Sequence, residues 1–258
     1  MLVAAPLVHA KPAQAGARSD SAPVLLAASS QGGEGGERGR ASSEDSDLPA
    51  SLRLLRDLNL LRGHLRVADE LVREGRWSAA RPHWIHAEEL QGGLGRGLKA
   101  RRVPPFAGTL KALGQAGRSQ NRKAYEASLA KFQHDLDAAE AALKAPEANW
   151  PALVVEAVLE LLRSAAAEYD EAIDGGRIVR PIEYQDARGI ALAAETLLET
   201  VAEELAAKDA DAVQSAKTAF AGLHKAWPSP IPPKTAVMDT SQVISQMSRI
   251  ELQIGRFR

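Results

Sequence analysis

Apolar residues recur every three or four positions along almost all of the chain after residue 50, and this spacing restricts the fold more than any other feature. In the stretch LRLLRDLNLLRGHLRVADELVREG, Leu58, Leu61 and Leu65 are examples, and the pattern stops at Gly75. Such spacing places the apolar side chains on one face of an α-helix. No run alternates apolar and polar residues between turn signals, so the sequence predicts an all-α fold without a sheet.

Further helices follow the first. The second helix is predicted to begin at Pro82, and the glycines at 92, 93, 95 and 97 are expected to weaken it and end it early. A long amphipathic helix is predicted before Pro146, and a C-terminal helix is expected to dock on the fold or to contact a second copy. The apolar stripe of this last helix consists of Val243, Met247, Ile250 and Ile254.

Part of the helical pattern occurs twice in the chain. The segment LNLLRGHLRVADELVREGR at 58–76 aligns with LELLRSAAAEYDEAIDGGR at 159–177, and both copies end in Gly-Arg before a proline, Pro82 or Pro181. We therefore predict an internal duplication, although helices rich in Ala, Leu and Glu also align by chance. The predicted fold has two pseudo-symmetric antiparallel helical bundles in one compact unit. The first half spans 50–146, and the second half, with the C-terminal helix, spans 147–258.

The N-terminal region differs in composition from this helical part. MLVAAPLVHAKPAQAGA has a short apolar run followed by Ala13 and Ala15, which is typical of a signal peptide with its basic start missing. We predict a truncated signal peptide at 1–28, with a disordered Ala/Pro-rich tail as the alternative, and a flexible Gly/Ser-rich linker at 29–49. The protein is therefore expected to be periplasmic or otherwise exported. No apolar run reaches the roughly 18 residues needed for a membrane span.

Composition excludes several kinds of chemistry. The chain has no cysteine, so thiolate metal sites, disulfides and thiol nucleophiles are ruled out. Its formal net charge of −1 gives no overall attraction to nucleic acid. The chain contains neither Gly-x-Ser-x-Gly nor His-Glu-x-x-His, which favours a non-enzymatic protein, while an enzyme with scattered catalytic residues stays possible.

The segment PHWIHAEEL at 82–90 carries the residues best suited to bind a metal. On a helix, His83 and His86 lie one turn apart on the apolar face, and Glu89 borders that face one turn further on. His64 lies on a secondary apolar stripe of the first helix and can reach the same interior. Imidazole suits zinc, copper and iron, and a carboxylate suits harder ions. We therefore predict His64, His83, His86 and Glu89 as candidate metal ligands.

The second half differs from the first at the equivalent position. PIEYQ replaces PHWIH, and the second half offers Glu183, Tyr184 and Asp186 where the first half has histidines. If the two proline-initiated helices meet at a pseudo-twofold axis, His83 and His86 face a carboxylate-rich counterpart. Such a site would draw its remaining ligands from another helix, as metal sites in helical bundles do.

The sequence HAEE, from His86 to Glu89 within WIHAEEL, resembles the His-x-x-Glu motif of the imelysin-like family. The resemblance implies a helical protein of two pseudo-symmetric bundles, exported in bacteria and associated with iron or copper uptake. It also implies a metal-transport or membrane-associated partner protein. Only His86 and Glu89 match the motif of the family.

The preferred interpretation is an exported, non-enzymatic helical protein that binds a transition metal ion between its two halves in metal uptake or homeostasis. Iron or copper is favoured, and zinc is compatible with the same donors. One alternative is a structural or partner-binding scaffold in which the histidines belong to the core. Another is a haem binder in which His64, His83 or His86 is an axial ligand.

Overall fold

A computed structural model describes Met1 and residues 48–258. Apart from Met1, the predicted signal peptide at 1–28 lies outside the described residues. The predicted linker at 29–49 also lies outside them, except for its last two residues.

The described residues form helices joined mostly by short connections, with one two-stranded antiparallel ribbon, β1 (Ile173–Asp174) and β2 (Arg177–Ile178). This ribbon, together with an isolated antiparallel bridge between Arg177 and Thr235, departs from the predicted absence of a sheet. The helices are α1 (Ala50–Arg73), α2 (Trp77–Ala100), α3 (Ala107–Arg118), α4 (Arg122–Lys144), α5 (Trp150–Ala172), α6 (Pro181–Glu199), α7 (Ala202–Ala206), α8 (Ala210–Leu223) and α9 (Thr240–Ile254).

The predicted all-α fold of helical bundles is confirmed. Each half begins with two long antiparallel helices, α1 with α2 in the first half and α5 with α6 in the second. In each half a further pair, α3 with α4 or α8 with α9, packs against them. Most of the packing between the halves comes from α1, which lies against both α5 and α6, so that one continuous apolar core runs through the folded region.

Helix α1 forms where its apolar spacing predicts it. Leu55, Leu58 and Leu61 are fully buried, and burial of each such side chain contributes roughly 1.5–3 kcal/mol relative to leaving it exposed. The helix ends at Arg73 because Gly75 adopts a positive φ of 77°, which side chains with a Cβ disfavour. The turn at Gly75 brings α2 back alongside α1.

Helix α2 corrects two sequence predictions. It begins at Trp77, five residues before Pro82, and continues past the four glycines to Ala100. Pro82 removes one backbone donor, but burial of Trp84 and Leu94 on the apolar face maintains the helix. The two prolines of the repeat are therefore not equivalent, because Pro181 is the first residue of α6.

The C-terminal helix docks as predicted. Asp239 caps α9 in a capping box with Gln242, and all four residues of the predicted stripe are buried. Among the described residues, none of the helices is both long enough and apolar enough to cross a membrane.

Candidate metal centre

Three histidines of the first half converge on one carboxylate of the second half. Asp186, on the second turn of α6, has a side chain that is 1% exposed. The Nδ1 atoms of His64 and His83 each lie 2.7 Å from its Oδ1, and the Nδ1 atom of His86 lies 2.9 Å from its Oδ2. We call His64, His83, His86 and Asp186 the histidine–aspartate centre.

A close helix crossing brings His64 to Asp186. A Cβ on Gly189 of α6 would lie only 2.2 Å from the carbonyl oxygen of Gly63 on α1, so the two backbones touch where neither residue has a side chain. His64 follows Gly63 directly, and Asp186 precedes Gly189 by about one helical turn. The crossing therefore places both side chains in the same narrow space between the halves.

Helix α2 supplies the other two histidines from one face. His83 is fully buried, whereas the side chain of His86 is 25% exposed, so the centre meets solvent at His86. The rings pack edge to face, with centroid distances of 5.4 Å between His64 and His86 and 6.4 Å between His83 and His86. The spacing of three residues puts both side chains of α2 on the α6 side, as the sequence predicts.

A buried amide supports His83 from the side opposite Asp186. The Oε1 atom of Gln185 lies 3.1 Å from Nε2 of His83, and Nε2 of Gln185 donates to the carbonyl of Pro230 at 2.9 Å. Pro230 belongs to the proline-rich loop, which comprises residues 227–233. Gln185 therefore connects this loop to the centre.

The centre carries a buried negative charge. Burial raises the pKa of Asp186, but the nearby His64 imidazole and the hydrogen bonds from the three histidines outweigh it and hold the pKa well below its ordinary value. An ionised carboxylate only accepts hydrogen bonds, so each of the three Nδ1 atoms donates to it. Removing a carboxylate from water is tolerated only when it is paired in this way or when it binds a metal.

The donor set fits a transition metal ion. One nitrogen each from His64 and His83 and one oxygen of Asp186 lie within 4.8 Å of one another. Two imidazoles with one carboxylate form the set that binds ferrous iron in many proteins, and imidazole also suits copper and zinc. Ligand atoms around a tetrahedral ion lie about 3.3 Å apart. A metal bound here would take the place of the Nδ1 protons, and the N···O separations would have to widen from 2.7 Å to about 3.3 Å.

The structure brings together three of the four predicted ligands. His64, His83 and His86 meet at Asp186, whereas Glu89 is exposed and does not belong to the centre. The expectation that His83 and His86 face an acidic counterpart is confirmed for Asp186. The carboxylate of Glu183 lies 4.0 Å from the guanidinium of Arg180, and the Tyr184 hydroxyl donates to Ser229, so neither contributes to the centre.

Gln185 is not among the site residues predicted from the sequence. Little in the sequence indicates its role, because it is one of several polar residues in α6 and is followed directly by an acid. Only its burial beside His83 distinguishes it from a surface glutamine.

Comparison with known proteins adds one finding. Residues 144–257 match the model of a family described as an iron permease-associated four-helix bundle domain. This span contains α5 to α9 and therefore Asp186, and it nearly coincides with the predicted second half at 147–258. No curated protein and no solved structure matches the chain. The resemblance to the imelysin-like family is not confirmed.

Proposed function

We propose that this protein binds iron at the histidine–aspartate centre and takes part in iron uptake. The observation that carries the proposal is the convergence of three imidazole nitrogens on both oxygens of one buried carboxylate, at 2.7–2.9 Å. The match of residues 144–257 to an iron permease-associated domain supports iron rather than copper or zinc.

The arrangement suits a cargo ion that is bound and later released. His86 is partly exposed, so an ion can reach Asp186 from solvent by way of this ring. The ligands come from both halves of the fold, and bound iron would therefore bridge α1 and α2 to α6. A ligand that binds only the folded state stabilises it, so iron would raise the unfolding temperature by an amount that grows with the logarithm of the iron concentration divided by its Kd.

We also propose where the protein acts and which kind of partner it has. The N-terminal pattern at 1–28 supports an exported protein, and the matched family supports a membrane permease as the partner that receives or delivers the ion. The protein itself would act as the binding component. This role needs no catalytic residue.

A second candidate is a scaffold whose buried histidines only neutralise Asp186. The separations of 2.7–2.9 Å are those of charge-assisted hydrogen bonds, and they satisfy the carboxylate without a metal. The haem alternative has less support, because all three rings pack edge to face and direct their Nδ1 atoms at Asp186.

Metal titration distinguishes the iron-binding function from the scaffold function. The purified protein is titrated with ferrous iron under anaerobic conditions by calorimetry, and bound metal is counted by elemental analysis. We expect one ion per chain in the wild type and a loss of at least tenfold in affinity for His83→Ala, since a direct ligand matters at least as much as a supporting residue. His224→Ala, outside the centre, is the matched control and should bind normally. A wild type that binds no iron would leave the scaffold as the function.

A further inference from the structure

The side-chain amide of Gln185 is in direct contact with His83 of the histidine–aspartate centre. It is 4% exposed, and both ends of its amide have partners. Its Oε1 atom lies 3.1 Å from Nε2 of His83, and its Nε2 atom lies 2.9 Å from the carbonyl oxygen of Pro230.

The Pro230 carbonyl decides the orientation of this amide. A carbonyl oxygen only accepts hydrogen bonds, so the NH₂ group of Gln185 must face it, and the amide oxygen must face His83. Reversing the amide would place two acceptors against each other in a buried site. The Nε2 atom of His83, which faces an acceptor, therefore carries a proton.

We infer that Gln185 is a positioning residue that makes Nδ1 the metal-binding nitrogen of His83, an inference that rests on the proposed function. With a proton held on Nε2 by Gln185, the ring can bind a metal through Nδ1 as a neutral imidazole, and the proton that Nδ1 shared with Asp186 is released to solvent. Nδ1 is also the atom that lies 2.7 Å from Asp186, where the other ligands meet. The amide thus selects the nitrogen that the geometry of the centre requires.

Without Gln185, the proton of His83 would prefer Nδ1 to Nε2. A neutral His83 would then keep its proton on Nδ1, where Asp186 accepts it, and leave Nε2 bare. A metal arriving at Nδ1 would have to move that proton to Nε2, where a buried N–H without a partner is unfavourable. Supporting residues of this kind typically change metal affinity by about 10–100-fold.

The neighbouring residue provides a matched control. Tyr184 also anchors the proline-rich loop, since its hydroxyl donates to the carbonyl of Ser229 at 3.1 Å. Its hydroxyl hydrogen bond goes to the loop and not to His83. Tyr184→Phe therefore removes a hydrogen bond to the same loop from the same helix and leaves the centre intact.

The test compares Gln185→Leu, Tyr184→Phe and the wild type in titrations with ferrous iron and with Zn²⁺. We expect Gln185→Leu to lose about 10–100-fold in affinity for both ions and Tyr184→Phe to keep wild-type affinity. Equal affinity of Gln185→Leu and the wild type would overturn the inference. An equal loss in both variants would also overturn it, because the loop anchor would then be responsible.

A measurement on the wild type tests the same point without any variant. In the Zn²⁺-loaded protein labelled with ¹⁵N-histidine, NMR should show His83 with a proton on Nε2 and the metal on Nδ1. The opposite assignment would refute the role of Gln185 while leaving metal binding established. A wild type that binds neither ion would instead refute the proposed function.

Discussion

Helix α6 carries two carboxylates that each meet histidine, and the two contacts differ mainly in burial. Glu195 lies 2.7 Å from Nε2 of His224, with both side chains between a fifth and a third exposed. Asp186 lies at the same distance from two imidazoles but is almost fully buried. Near the surface one partner suffices, because water solvates the rest of the carboxylate. In the core three imidazoles donate to the carboxylate, and their convergence forms the proposed ligand set.

The pKa values follow the same contrast. The hydrogen bond from His224 lowers the pKa of Glu195 and outweighs the opposing effect of partial burial. For Asp186, burial is the largest single influence and raises the pKa, yet the three histidines together lower it much further. The surface pair is thus an ordinary ion pair, whereas the centre holds a charge that the core would otherwise exclude.

The largest predicted effect is on the free energy of unfolding when Asp186 and Glu195 are each replaced in turn. Asp186→Ala leaves three imidazoles without their acceptor and should lower the free energy of unfolding by about 3–5 kcal/mol. Glu195→Ala should cost less than about 1 kcal/mol because exposed ion pairs contribute little. Urea unfolding of both variants measures the difference. Equal losses would mean that burial does not distinguish the two contacts.

The helix crossing beside the centre gives the next largest effect. Gly189→Ala forces a Cβ against the carbonyl of Gly63 and should cost about 1–3 kcal/mol while separating His64 from Asp186. Gly95→Ala is the control, since nothing lies within 4 Å of its added Cβ, and it should gain about 0.5–1 kcal/mol from helix propensity. Thermal unfolding and iron titration are measured on both. If Gly189→Ala changed neither stability nor iron affinity, the close crossing would not be required for either property.

Replacement of His86, the partly exposed histidine of the centre, should affect metal binding more than stability. His86→Ala should lower iron affinity by more than tenfold, or about 1.4 kcal/mol, if His86 is a ligand as proposed. Its effect on the free energy of unfolding should be smaller than that of Asp186→Ala, since His86 is 25% exposed. Calorimetry and urea unfolding report the two quantities separately, with the exposed His134→Ala as control. Unchanged affinity would remove His86 from the site.

The smallest effect is the pH dependence of the surface pair. The pKa of Glu195 is below its ordinary value of 4.5, so its contribution to stability is present above that pH and is lost as pH falls through the folded-state pKa. The difference in unfolding free energy between the wild type and Glu195→Gln should therefore shrink between neutral pH and a pH well below 4.5. A difference that grows on acidification would have the wrong sign for this pair.

Long-range contacts limited what could be predicted about the site. His83 and His86 lie three residues apart, so their shared face follows from helical geometry alone. Glu89 fits the same spacing and was predicted for that reason, but it is exposed. The acid that these histidines meet is about 100 residues away along the chain. Only the comparison of the two repeats indicated it, because no local pattern specifies which residue of a distant helix will lie opposite.

The sequence by itself determined the all-α class, the ends of several helices and the apolar faces that pack them. These features depend on spacing and on turn residues such as Gly75, which act within a few positions. Tertiary structure decided the start of α2, where burial of Trp84 outweighs the break expected at Pro82. It also decided the composition of the centre, since the contact between Gly63 and Gly189 sets the helix spacing that brings His64 to Asp186. These features could not be predicted from the sequence because they depend on close packing between distant segments, which no local pattern encodes.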